Sequence, residues 1–174
     1  MNRTAVFAHF DQNKCIRDYV VYYLKELKKF CSKIIFISDS DIKEEEKQKI
    51  IDICEYIEAK KHGEYDFGSY KRGYLYLKEN DLLNNTDELI FANDSCYAPI
   101  YPFDEMFEIM DKKECDFWGI TKNDFDIDDR KNEHLQSYFF VLKKQIFTSE
   151  IFEKFITNVT HEDDKFDVVR KYEQ

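Results

Sequence analysis

Leu89-Ile90-Phe91-Ala92-Asn93-Asp94-Ser95-Cys96-Tyr97-Ala98-Pro99 is the stretch whose reading decides the fold. Four apolar residues run straight into a polar triplet and then a proline. A short apolar run bounded by turn-forming residues reads as a strand buried on both faces, which belongs to a sheet covered by helices on each side. Such a strand delivers Asn93, Asp94 and Ser95 to the carboxyl edge of the sheet, where open α/β sheets bind ligands.

The rest of the chain supplies the partners for that strand. Residues 4–10 (TAVFAHF), 33–38 (KIIFIS) and 56–59 read as further strands. The segments between them, 15–30 and 44–54, carry apolar residues at helical spacing, such as Ile16, Val20, Leu24 and Leu27. That β-α-β-α-β alternation predicts a parallel sheet wrapped by helices. Residues 63–69 read as a loop holding two of the four glycines, and a helix follows over 69–79 in which Gly73 costs about 1 kcal/mol against alanine unless close packing needs it. Beyond Pro99 come a short helix at 103–110, a strand over 115–121, a charged loop over 122–133, a strand over 137–142 and helices over 149–156 and around Val169. No repeat or linker is visible, so the 174 residues read as a single domain.

Composition narrows the function. The formal net charge of −10 repels polyanions, which argues against nucleic acid as a partner. Five widely spaced cysteines and no secretory leader read as reduced thiols in the cytoplasm, and no apolar run reaches membrane-spanning length. Twelve tyrosines and sixteen phenylalanines exceed ordinary use; most are expected to be core.

The polar segments at Asp11, Asp39, 63–69 and 93–95 each follow a strand of the one parallel sheet, so they converge on one edge. Asp39 suits either a cap for the next helix or a ligand for ribose hydroxyls, and spacing alone favours the cap. Asp94 suits a Mg²⁺ or Mn²⁺ ion shared with a diphosphate, because hard cations take carboxylate oxygens, while Asn93-Asp94-Ser95 reads equally as a turn. The histidines show no metal-ligand spacing; His134, before a strand and beside the charged loop, stands out among them.

An ordered set of blocks carries a family resemblance: Val6-Phe7-Ala8-His9-Phe10-Asp11, Asp18-Tyr19-Val20 with Tyr22-Tyr23-Leu24, Asp66-Phe67-Gly68-Ser69-Tyr70-Lys71, Asn93-Asp94-Ser95-Cys96-Tyr97, Cys115-Asp116-Phe117-Trp118-Gly119-Ile120-Thr121 and His134-Leu135-Gln136-Ser137-Tyr138-Phe139. Together they resemble the rhamnan synthesis protein F family, bacterial glycosyltransferase domains of surface-polysaccharide assembly. The resemblance implies a GT-A-like, Rossmann-type three-layer sandwich with a mostly parallel sheet. It also implies a nucleotide-sugar donor and a glycan or lipid-linked glycan acceptor, with work at the inner face of the membrane through that acceptor. Rhamnose follows from the family's name alone. Carried onto this chain, it places His9, Asp11, Asp39, Asp66, Lys71, Asn93 and Ser95 on the donor side, Trp118, His134 and Gln136 on the acceptor side, and Asp94 at the chemistry and the metal. Glu173, or an acid in Glu162-Asp163-Asp164, is the candidate acceptor base, beside the favoured reading of these acids as a solvated helix cap.

Three departures bear on these roles. Where GT-A enzymes generally carry Asp-x-Asp, this chain has Asn93-Asp94-Ser95, with one carboxylate. Upstream of Asp66 an Arg-x-Asn-x-Gly pattern is expected, and Lys60-Lys61-His62-Gly63-Glu64 stands instead. The family's domain is expected to continue past Tyr172-Glu173, which makes this a short or truncated member. The second and third departures motivate an alternative reading, a non-catalytic module that binds a glycan or a partner enzyme.

Overall fold

The computed structural model describes residues 1–124 and 133–173. Its strands and helices, in chain order, are β1 (Arg3–His9), α1 (Asp18–Lys28), β2 (Lys33–Ser38), α2 (Glu44–Lys47), β3 (Tyr56–Ala59), α3 (Tyr65–Glu79), β4 (Glu88–Asn93), α4 (Asp104–Met110), β5 (Phe117–Gly119), β6 (Lys122–Asn123), β7 (His134–Leu135), β8 (Phe139–Lys143), α5 (Lys144–Phe147), α6 (Glu150–Thr157) and α7 (Lys165–Val168), with a last turn at Val169–Glu173. Among the described residues, six strands form one sheet in the order β3-β2-β1-β4-β8-β5, and β6 pairs with β7 apart from it. β1, β2, β3 and β4 are mutually parallel, and β8 runs antiparallel to both β4 and β5. This is the mostly parallel α/β sandwich that the apolar runs predict.

All seven residues of β1 and all six of β4 are buried, because helices cover both faces. Alternation along β1 sends Ala5 and Phe7 to one side, where Val20, Tyr23, Leu24 and Leu27 of α1 and Phe107 of α4 pack against them. Val6 and Ala8 face the other side, against Phe67, Tyr70, Tyr74 and Leu77 of α3 and Ile156 of α6. Ser149 caps α6 by accepting the Phe152 N–H at 3.2 Å.

Two helices depart from expectation. The segment 44–54 holds helix only over Glu44–Lys47 and then curls through turns, which seat Ile50 fully in the core while Ile51 points to solvent. One buried contact in that stretch is served by a turn, and no continuous apolar stripe demands a helix. Conversely, α3 starts at Tyr65, so most of the expected glycine loop at 63–69 is the first turn of a helix. Of the charged loop 122–133, Lys122 and Asn123 form β6, which pairs with β7 just beyond the loop, and 125–132 lie outside the described residues.

Gly73 is where α3 meets the sheet. A Cβ there would fall 2.3 Å from Val6 Cγ1 and 2.9 Å from Val6 Cγ2, so the helix approaches β1 more closely than any side chain permits. Gly73→Ala is therefore expected to destabilise the protein by about 1–3 kcal/mol despite the better helix propensity of alanine. Urea unfolding of the variant checks this; an unchanged or higher midpoint would show that the close approach is not needed.

Candidate functional site

The pairing of Ala8 with Asn93 and of His9 with Ser38 brings the carboxyl ends of β4, β1 and β2 level. The residues that follow emerge together. His9, Phe10, Asp39, Tyr65, Asp66, Phe67, Ser69, Val168 and Val169 line a cavity of about 270 Å³ at this edge. β1 and β4 thus deliver His9 and Asp94, β2 delivers Asp39, and the first turn of α3 delivers Asp66 and Ser69.

Asp94 is the electrostatic centre of the edge. Its Oδ2 accepts the Phe10 N–H at 3.3 Å and lies 3.7 Å from His9 Nε2. Burial, and after it the charge of Asp66, push the Asp94 carboxyl up to about 7, against the opposing pull of the Phe10 amide. Burial drives the His9 imidazole the other way, down to about 4, with the Asp11 charge opposing. His9 Nδ1 is engaged with Ser38 Oγ at 2.8 Å, and among the described residues Nε2 has no hydrogen-bond partner. A neutral imidazole thus faces a carboxyl that holds its proton nearly to neutrality.

The neighbours are held by hydrogen bonds. Asn93 Nδ2 donates to Asp66 Oδ2 at 2.9 Å, and Asn93 Oδ1 accepts the Ser95 N–H at 3.0 Å, so the triplet is both a turn and part of the site. Tyr19 OH donates to the Asp94 carbonyl at 3.3 Å. Asp39 does not cap α2: its Oδ1 accepts the N–H groups of His62 at 2.5 Å and Gly63 at 2.8 Å, tying β2 to the turn before α3. His62 then completes a link that the sequence alone does not mark. Its Nδ1 accepts the Glu64 N–H at 3.1 Å, which leaves the ring proton on Nε2 to donate to Ser69 Oγ at 3.0 Å. The one signal that points to it is the departure at Lys60-Lys61-His62-Gly63-Glu64, where Gly63 adopts φ +72°.

Other expected residues sit elsewhere. Asp11 accepts from Arg17 Nε at 2.8 Å and from the Asn13 and Cys15 amides; burial opposes its charge, yet these partners hold the carboxyl below its usual range. Lys71 turns away from the cavity to Val159 O at 2.6 Å and Glu64 at 3.1 Å. Trp118 pairs with Val141 and packs between Phe107 and Phe139 under α4, in the core on the α1 side. Gln136 accepts from Thr121 Oγ1 at 2.7 Å, and Ser95 is exposed. His134 lines a separate, mostly apolar groove of about 630 Å³ with Phe117, Leu135, Phe140 and Phe155. Glu173 closes the final turn, and its side chain lies outside the described residues.

Asp94 was expected to hold Mg²⁺ or Mn²⁺. Among the described residues no group of three or more His, Cys, Asp or Glu is arranged to hold a metal ion. One buried carboxyl that keeps its proton nearly to pH 7 does not fit a cation held by the protein alone, since hard cations need several charged or carbonyl oxygens.

Because folding raises the Asp94 pKa from 3.8 to about 7, this group costs stability as pH rises through that window, and the cost is complete above it. His9 has the opposite sign: its lowered pKa removes stability as pH falls from 6.5 toward 4. Asp94→Asn leaves the His9 contribution in place and removes that of Asp94, so it is expected to raise stability by on the order of 2–4 kcal/mol at pH 8, and by little at pH 4. Thermal scans at both pH values check this. An equal gain at both would rule out a proton-linked cost at Asp94.

The comparisons with known proteins bear on the family and the fold. A family model described as rhamnan synthesis protein F matches residues 34–174. The uncharacterized protein y4gN of Sinorhizobium fredii is 26% identical over 143 residues, 80% of this chain and 36% of its own. The virulence protein VirA of Vibrio anguillarum is 32% identical over 128 residues, 70% of this chain and 38% of its own. The chain therefore spans little more than a third of the length of these curated relatives. Among solved structures, 4-diphosphocytidyl-2C-methyl-D-erythritol synthase from Anaerococcus prevotii superposes with a TM-score of 0.55 at 14% identity, covering 97% of this chain and 83% of that one. At that identity the likeness shows the fold, which is GT-A-like. With the family model covering most of its length, the chain belongs to the rhamnan synthesis protein F family.

Proposed function

We propose that the chain carries a glycosyltransferase domain that moves a sugar, rhamnose by the family's name, from a nucleotide-sugar donor to a growing bacterial surface polysaccharide. The observation that carries this reading is the convergence of His9, Asp39, Asp66 and Ser69 on one cavity at the carboxyl edge of the sheet, with Asp94 against His9. Carboxylates at such an edge accept hydrogen bonds from hydroxyl-rich ligands, and family membership supports sugar transfer as the chemistry.

In this reading Asp39 and Asp66 orient donor hydroxyls. Asp94 takes the proton of the acceptor hydroxyl as its oxygen bonds to the sugar and the bond from sugar to diphosphate breaks. A carboxyl held near pH 7 is matched to that task, since a general base works best with a pKa close to the working pH. No helix among the described residues is long and apolar enough to cross a membrane.

Thermal unfolding against UDP, GDP, dTDP and CDP, each with Mn²⁺ or with EDTA, tests the donor. One nucleotide is expected to stabilise the fold by about 2.7 kcal/mol at a hundredfold excess over its dissociation constant. The gain is expected to persist in EDTA; a gain seen only with Mn²⁺ would return Asp94 to a shared metal. No gain with any nucleotide would favour the non-catalytic alternative. Asp94→Ala is expected to abolish transfer with the fold intact, and full activity in that variant would sink the reading.

A further inference from the structure

We propose that Tyr65, together with Phe10, stacks on the base of the bound nucleotide at the mouth of the acid-lined cavity; this rests on the nucleotide-sugar reading above. Tyr65 opens a helix of fifteen residues with φ +56°, in the left-handed region. A bulky aromatic residue rarely adopts that conformation, and such outliers persist where the surroundings hold a residue in place for a purpose. The other two non-glycine residues with positive φ have local reasons. Lys14 sits in a turn closed by its own N–H to Asp11 O, and Asp81 is of a type that tolerates the region. Tyr65 has neither reason, although glycine stands two positions earlier at Gly63.

Neither ring stacking nor a hydrogen bond within the described residues accounts for the ring. Tyr65 is 36% exposed, and among the described residues its ring meets no other ring and its hydroxyl makes no hydrogen bond. Phe10 is 57% exposed and likewise meets no ring, while its backbone N–H is fixed on Asp94. Both nonetheless line the same cavity, unlike Tyr70, Phe91 and Phe140, which interlock in the core. The same cavity is lined by the carboxylates of Asp39 and Asp66, and by His9, buried to 1% exposure, whose Nε2 has no hydrogen-bond partner among the described residues. Flat apolar rings beside carboxylates and an imidazole match a nucleoside, whose base offers a face to stack on and whose ribose offers hydroxyls. Every base has such a face, so stacking supplies affinity without choosing the base.

Calorimetric titration of the full chain with the nucleotide that stabilises it, alongside unfolding without ligand, tests the assignment. Glycine accepts φ +56° freely, so Tyr65→Gly is expected to unfold at or above the wild-type temperature while its dissociation constant rises about tenfold or more. Tyr65→Phe is expected to bind as wild type, and Phe10→Ala to weaken binding to a similar degree without loss of stability. Wild-type affinity in Tyr65→Gly would overturn the stacking role alone. Weakened binding accompanied by a lower unfolding temperature would make the ring structural and overturn it too. Absence of nucleotide binding by the wild-type chain would overturn the nucleotide-sugar reading, and the stacking role with it.

Discussion

The parallel register between β1 and its two neighbours is the constraint on which the site depends. With Ala8 opposite Asn93 and His9 opposite Ser38, three strands end within a residue of one another, and every polar group that follows lands on one edge. A slip of one residue in β4 would swap the faces of Asn93 and Asp94, parting Asn93 from Asp66 and Asp94 from His9. Burial of the whole of β1 and β4 on both faces holds that register. Gly73 contributes by letting α3 sit directly on Val6, which fixes the height at which Asp66 and Ser69 meet the edge.

The two ends of the sheet are treated differently. At the amino edge Arg3 Nε bonds Glu88 at 2.5 Å, Lys143 bonds the same carboxylate at 2.5 Å, and Arg3 also reaches Asp111 and lies 4.4 Å above the Phe107 ring. Buried charges are tolerable only when partnered, and here each is. At the carboxyl edge, among the described residues, His9 Nε2 lacks a hydrogen bond, and burial together with the charge of Asp66 keeps the proton on Asp94. One edge is closed by paired charges, and the other keeps a buried imidazole beside a protonated carboxyl.

Much of this was legible in the sequence because apolar runs and burial are the same fact seen twice. β2 and β3 fall where KIIFIS and YIEA predict; strand ends bring Asp39 and Asp94 to one edge, and the helix that follows β3 brings Asp66 there. What escaped depends on contacts between distant segments. Trp118 sits in the core because its pairing with Val141 sets the face it points to, and a three-residue strand is too short to declare its alternation. Lys71 is drawn to Val159 and Glu64, and His62 gains its place only when Asp39 pins its amide. Two glycines disguised the start of α3 as a loop, and nothing in a sequence announces a tyrosine in the left-handed region.

β8 enters the sheet against the grain, and this places its beginning, not its end, at the carboxyl edge. The Tyr138 carbonyl accepts the Asn93 N–H at 3.1 Å and the Ser137 carbonyl accepts Tyr70 OH at 2.9 Å, so the entry to β8 is moored to β4 on one side and to α3 on the other. The flank beside Asn93 is therefore closed by a strand from a distant part of the sequence that runs the other way, and the backbone just before that strand, not the backbone just after it, borders the edge.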